Sequence, residues 1–156
     1  MSHLTEGQLA PDFTLAASGS DTTITLSALR GKTVVLFFYP KDDTPGCTVE
    51  ACAFRDLSGA FTAVGVIVLG ISKDGVRSKE KFARKFSLTY PLLADEDNQV
   101  AQSYGIWVEK KNYGQSYLGI ERTTFVIEPE GTIRKIFRKV KPEGHAEEVL
   151  AVLSGV

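Results

Sequence analysis

No apolar run in this sequence approaches a membrane span of about 18 residues. The longest, Thr33–Tyr39 (TVVLFFY) and Val64–Ile71 (VGVIVLGI), fall far short of it. Cysteine is scarce, with only Cys47 and Cys52 in 156 residues. That is too few for a disulfide scaffold. No sign of charge dominates: 18 Lys and Arg face 19 Asp and Glu, for a net charge of -1. The charges are interspersed, so neither a nucleic-acid footprint nor a polybasic membrane patch is expected. Residues Met1–Pro11 lack a basic stretch followed by an apolar run, so no secretory signal is visible and the expected location is cytoplasmic. The two histidines, His3 and His145, lie far from the cysteines and are expected at the surface. A zinc site needs four such ligands together, so no metal is expected. Repeats, low-complexity segments and linkers are lacking as well.

The composition, 43% hydrophobic and 24% charged, is that of a soluble globular domain. A chain of this length buries roughly two-thirds of its unfolded surface. One domain over residues 1–156 is therefore expected. Asp12–Ala16 and Thr22–Leu26 read as short strands, with a hairpin around Ser18–Asp21. Thr33–Tyr39 is β-branched and aromatic throughout, which predicts a strand buried on both faces. Pro40 ends it, and Lys41–Gly46 is a loop. A helix is predicted from Thr44 to about Leu57, then a buried strand over Val64–Ile71. Ser78–Phe86 is an amphipathic helix with Phe82 and Phe86 on one face. Leu92–Ala94 is a short strand, and Asn98–Tyr104 a short helix. Thr123–Ile127 and Thr132–Val140 are strands joined at Glu128-Pro129-Glu130-Gly131, and Gly144–Leu153 is a closing helix. This alternation predicts an α/β sandwich around a mixed central sheet flanked by helices, the form of the thioredoxin fold.

Cys47 carries the chemistry. Thr44 has the position of a helix N-cap, Pro45 of the first helical residue and Cys47 of the third. The unpaired N–H groups of a first helical turn, with the helix dipole, favour a thiolate, the nucleophilic form of cysteine. A buried structural cysteine is the plain alternative. The T-P-G-C context speaks against it, because it sets the sulfur at a polar helix end. As a cap, Thr44 is expected to accept a hydrogen bond from an amide near Cys47, and its hydroxyl can also face a substrate. Pro40 and Pro45 stop a strand and start a helix. They also stiffen the loop around the sulfur.

Cys52 follows five residues after Cys47. On a regular helix this is about 7.5 Å of rise and about 140° of rotation. A disulfide needs Cα atoms roughly 4.4–6.8 Å apart and converging Cβ vectors. Either the two sulfurs never pair, and Cys52 only packs the helix, or the first turns unwind to let them meet.

The segment Phe37–Asp56 (FFYPKDDTPGCTVEACAFRD) strongly resembles the active-site segment of peroxiredoxins. Their Pro-x-x-x-Thr-x-x-Cys signature is matched by Pro40, Thr44 and Cys47. A second cysteine five residues on resembles the bacterioferritin-comigratory-protein, or peroxiredoxin Q, subgroup. Ala10–Leu15, Val64–Ser72, Tyr104–Gly119 and Arg122–Ile127 resemble it too. The likeness implies a thioredoxin-like fold with an N-terminal β extension, and a peroxidase reducing hydrogen peroxide and organic hydroperoxides. By resemblance Cys47 is the attacking cysteine and Cys52 the resolving one, the two forming the redox disulfide. Arg122 is the active-site arginine. Thr44, Gly46, Cys47 and Arg122 would contact the peroxide. Trp107 sits where the subgroup often has an aromatic, and is expected to pack rather than to wall the site.

The implied chemistry needs no flavin, haem or metal. Attack on the O–O bond would leave a sulfenic acid on Cys47 and release water or an alcohol. Arg122, Thr44 and the amides of Gly46 and Cys47 would steady the charge on the leaving oxygen. Cys52 would resolve the sulfenic acid, with Gly46 either easing the unwinding or serving only as a capping or turn residue. Thioredoxin or a similar dithiol would recycle the disulfide. A monomer is expected, because both cysteines lie in one helix. Two other readings remain at this point. One is a protein disulfide oxidoreductase, against which the missing C-x-x-C speaks. The other is a redox sensor, which an unwinding helix would suit.

Overall fold

The strand Thr33–Phe38 shows why the chain folds as it does. Its side chains alternate between two apolar faces, and Val34 through Phe38 are all at most 2% exposed. Such a strand must be covered on both sides. The computed structural model describes residues 4–19 and 22–154. In chain order the elements are β1 (Thr14–Ala17), β2 (Thr22–Thr25), a 3-10 turn (Leu26–Leu29), β3 (Thr33–Phe38), α1 (Pro45–Asp56), α2 (Ser58–Ala63), β4 (Val66–Ser72), α3 (Val76–Phe86), β5 (Leu92–Ala94), α4 (Gln99–Ser103), β6 (Trp107–Asn112), β7 (Gln115–Ile120), β8 (Thr123–Ile127), β9 (Ile133–Phe137) and α5 (His145–Leu153).

A seven-stranded mixed sheet runs β2-β1-β5-β4-β3-β8-β9. β3, β4 and β5 are parallel, and the remaining pairs are antiparallel. Helical crossovers join the parallel strands, as such connections require. One face carries Val35, Phe37 and Tyr39 against Ala51 and Phe54 of α1, Phe61 of α2, Phe82 of α3 and Val149 of α5. The other carries Val34, Leu36 and Phe38 against Phe13, Leu26, Val100, Tyr104 and Ile106. Phe54 stacks on Phe37 with ring centroids 4.6 Å apart, which ties α1 to the sheet. Gly70 makes this possible: a Cβ there would lie 2.8 Å from Phe37 Cζ and 2.9 Å from Leu92 Cδ2. None of the described helices is long and apolar enough to cross a membrane.

The expected elements form, with ends shifted by a few residues. β1 and β2 pair antiparallel. Ser20 and Asp21 of the expected hairpin lie outside the described residues, as does His3. Three findings differ from expectation. α2 follows α1 after a single residue. β6 and β7 form a separate hairpin through Tyr113 and Gly114, both left-handed at φ 53° and 77°. His145, expected at the surface, is 2% exposed. It begins α5, and its ring lies edge-on to Phe54 and Phe137. Trp107 packs half-buried against the core, opposite Ile120.

Candidate active site

α1 starts as its sequence dictates. Thr44 has extended backbone (φ -103°, ψ 157°), Pro45 opens the helix, and Thr48 N–H closes the first turn on the Thr44 carbonyl at 2.8 Å. The Thr44 hydroxyl does not cap the helix, contrary to expectation. It donates instead to the Lys41 carbonyl at 2.9 Å, turning back along the loop. Pro40 stands half-buried where β3 ends.

Cys47 lies in the first turn and is 1% exposed. Arg122, from the short link between β7 and β8, donates through Nη2 to Cys47 Sγ at 3.3 Å. Its Nη1 donates to Glu50 Oε1 at 2.7 Å. The Arg122 backbone is held by Val140 N–H, which donates to its carbonyl at 2.9 Å. Gly46 lies next to the guanidinium, since a Cβ there would stand in contact range, 3.4 Å from Arg122 Nη2 and from Pro142 Cγ. The structure therefore brings Cys47, Gly46 and Arg122 together. Cys52 is half-buried further along the same unbroken helix, and both thiols are free.

Glu50 was not singled out from the sequence. It sits one turn after Cys47 and is fully buried, and its Oε2 has no hydrogen-bond partner. Burial pushes its carboxyl up to about 7, against the pull of Arg122. For Arg122 burial works against the charge, but Glu50 and Cys47 outweigh it and hold the guanidinium above its ordinary value. The guanidinium is thus a fixed cation shared between a sulfur and a carboxyl. Beside it opens a cleft of about 500 Å³, lined by Val108, Glu109, Lys110, Glu121, Lys139 and Val140. The β6–β7 hairpin forms one wall. Trp107 is not part of the lining. Among the described residues no group of three or more His, Cys, Asp or Glu is placed to hold a metal ion.

A buried sulfur in a first helical turn, under a guanidinium that itself lines an open cleft, suits a cysteine that attacks a small polar substrate. Comparison with known proteins bears on the same point. The AhpC/TSA family profile matches residues 7–136. A Coxiella burnetii protein named as a peroxiredoxin Bcp is 50% identical over 147 residues, spanning 94% of this chain and 97% of its own. The solved structure of PrxQ from Xylella fastidiosa superposes with a TM-score of 0.93 at 38% identity, covering 99% of this chain and 98% of that one. A solved bacterioferritin comigratory protein from Xanthomonas campestris, described for alkyl peroxide reduction from trapped intermediate and ligand complexes, gives a TM-score of 0.88 at 42% identity over 92% of this chain and 90% of that one. The chain belongs to the AhpC/TSA family, as a peroxiredoxin of the Bcp type with the thioredoxin-like fold, and is a thiol peroxidase.

Proposed function

We propose that this chain, folded as one domain, reduces hydrogen peroxide and organic hydroperoxides with Cys47 as nucleophile and Cys52 as resolving thiol. The observation that carries this reading is the Arg122 Nη2–Cys47 Sγ hydrogen bond of 3.3 Å in the first turn of α1. The guanidinium and the helix N-terminus together set a positive field around the attacking sulfur. The thiolate sulfur attacks the terminal peroxide oxygen, and the O–O bond breaks. The electron pair leaves on the departing hydroxide or alkoxide, which takes up a proton and departs as water or an alcohol. Arg122 and the amides at Gly46 and Cys47 stabilise that leaving charge, and Thr44 orients the peroxide. Cys47 becomes a sulfenic acid. Alkyl peroxide reduction described for the Xanthomonas campestris relative favours substrates with an alkyl part.

Resolution follows from the helix geometry. Cys52 attacks the sulfenic sulfur only after the first turns of α1 unwind, and water leaves as the disulfide forms. Thioredoxin or a similar dithiol reduces that disulfide. The cycle needs neither nucleic acid nor membrane, uses no cofactor, and runs within one chain, in keeping with a cytoplasmic monomer. The test is peroxide consumption with a thioredoxin system for wild type, Cys47→Ser and Cys52→Ser. Wild type is expected to turn over, Cys47→Ser to be inert, and Cys52→Ser to react once and recycle poorly. Turnover by Cys47→Ser, or none by wild type with a working reductant, would falsify the assignment.

A further inference from the structure

We infer that Asp74, together with the buried Asp42–Lys79 pair, positions Thr44 by fixing the peptide plane that receives the Thr44 hydroxyl proton. The inference rests on the peroxidase reading above and adds residues that act on the reaction without touching substrate.

The Lys41–Thr44 loop has no ladder to hold it, yet it must present Thr44. Asp43 within it is left-handed at φ 56°, a region that aspartate enters more readily than most residues. What holds the loop is a polar cluster beneath it. The Lys79 side chain from α3 is 0% exposed and that of Asp42 3%. Lys79 Nζ donates to Asp42 Oδ1 and to the Tyr39 hydroxyl, each at 3.2 Å, and to Ser72 Oγ. Tyr39 donates to Asp42 Oδ1 at 2.6 Å, and Ser78 to Asp42 Oδ2 at 2.7 Å. These partners come from the ends of β3 and β4 and from α3, so the loop is tied to three elements at once. A buried charge is tolerated only when paired and hydrogen-bonded, and this one is both.

The link to Thr44 runs through a single peptide unit. The Asp42 N–H donates to Asp74 Oδ2 at 2.7 Å. The Lys41 carbonyl, on the same rigid plane, accepts from Thr44 Oγ1 at 2.9 Å. Ser72 Oγ in turn donates to Asp74 Oδ2 at 3.0 Å, which steadies that carboxylate. A hydroxyl has one proton and two lone pairs. With its proton given to Lys41, Thr44 can meet a ligand only as an acceptor. A peroxide carries an O–H donor on the oxygen to be attacked. The plane thus decides whether Thr44 receives that O–H or competes with it. A tilt of the plane frees the hydroxyl to turn, and the reacting oxygen loses its fixed approach to sulfur.

The test is a double-mutant cycle on the full chain. The variants are Asp74→Ala, Asp74→Asn, Thr44→Val and Asp74→Ala with Thr44→Val. Two rates are read in each: Cys47 oxidation by hydrogen peroxide, and Cys47 alkylation by iodoacetamide, which needs the thiolate but no acceptor hydroxyl. Asp74 is half-buried, so its replacement is expected to leave a folded chain. Asp74→Ala is expected to slow peroxide oxidation roughly tenfold and to add nothing in the Thr44→Val background. Asp74→Asn keeps an oxygen for the Asp42 N–H and is expected to restore most of the rate. Alkylation is expected to change less than about twofold throughout. Losses that multiply in the double variant, a normal peroxide rate in Asp74→Ala, or a parallel fall in alkylation each overturn the inference. A wild type that leaves peroxide untouched, or a Thr44→Val chain that reacts at full rate, overturns the functional reading first and this inference with it. Should Asp74→Ala not accumulate as folded protein, Lys79→Met with Asp42→Asn takes its place in the cycle, with the same result expected and the same three results overturning the inference.

Discussion

Arg122 joins the parts of the site, because one guanidinium serves two acceptors of different character. Cys47 Sγ takes one N–H at 3.3 Å and Glu50 Oε1 the other at 2.7 Å. The fork holds the cation in place before any peroxide arrives. Arg122→Met is expected to slow Cys47 oxidation by about 10²–10³, the range for loss of a preorganised donor. Arg122→Lys keeps a charge but loses the fork, and is expected to fall between that variant and wild type. Stopped-flow oxidation with hydrogen peroxide separates the three. Cys47 and Thr44 stood out in the sequence because they mark a helix start, whereas Arg122 on its own reads as a surface charge and entered only through the family resemblance. Glu50 was readable in principle, since a residue three after Cys47 shares its helix face. Asp42 and Lys79 were not, because 37 positions separate them and only the folded chain brings them together.

α1 holds at one end more firmly than at the other. Its last turn is anchored by Phe54 stacked on Phe37, and by Arg55 Nη1 donating to the Phe86 carbonyl at 2.7 Å. Its first turns bury Cys47, Glu50 and Ala51 but no aromatic, and Val49 is 43% exposed. The proposed resolving step needs just those first turns to open. Far-UV circular dichroism is expected to lose helix signal when one equivalent of peroxide is added, and to recover it with dithiothreitol. The Cys52→Ser chain is expected to keep its signal. A second element-scale prediction concerns Gly70. Adding a methyl group pushes on Phe37 and Leu92 at under 3 Å, so Gly70→Ala is expected to cost about 1–3 kcal/mol in urea unfolding.

The buried strands and α3 were readable from apolar runs and periodicity. The β6–β7 hairpin was not assigned, although Asn112-Tyr113-Gly114-Gln115 is a turn suited to two left-handed central residues. Its faces carry Glu109, Lys110 and Lys111 among the apolar residues, which hides the alternation. α2 was missed because Ser58 and Gly59 are weak helix formers, and packing of Phe61 against the sheet overrides them.

At the scale of the whole molecule, the sheet sets β3 and β4 side by side and parallel, and the site lies beyond their C-terminal ends. Tyr39, Ser72 and α1 all start from that edge, as expected for an open α/β sheet. The same packing buries two titratable groups with opposite demands. Burial raises the Glu50 carboxyl to about 7. Its contribution to stability is complete below its unfolded value near 4.5 and is lost as pH rises to about 7. Burial lowers His145, with Glu148 opposing. Its contribution is present above the unfolded value of 6.5 and is lost as pH falls below it. Urea midpoints across this range are expected to lose the Glu50 slope in Glu50→Gln and the His145 slope in His145→Gln. A pH profile unchanged in Glu50→Gln contradicts a carboxyl raised by burial.

The central claim is that Cys47 and Cys52 are a reactive pair separated by an intact helix. Peptide mapping of wild type after one equivalent of hydrogen peroxide, joined to hydrogen exchange of α1 amides on the same sample, tests it most directly. The account predicts one intramolecular disulfide between Cys47 and Cys52, with rapid exchange over the first turns of α1 and unchanged protection around Phe54. A linked pair with α1 still protected through Cys47 and Cys52, or an oxidised Cys52 beside an untouched Cys47, contradicts it.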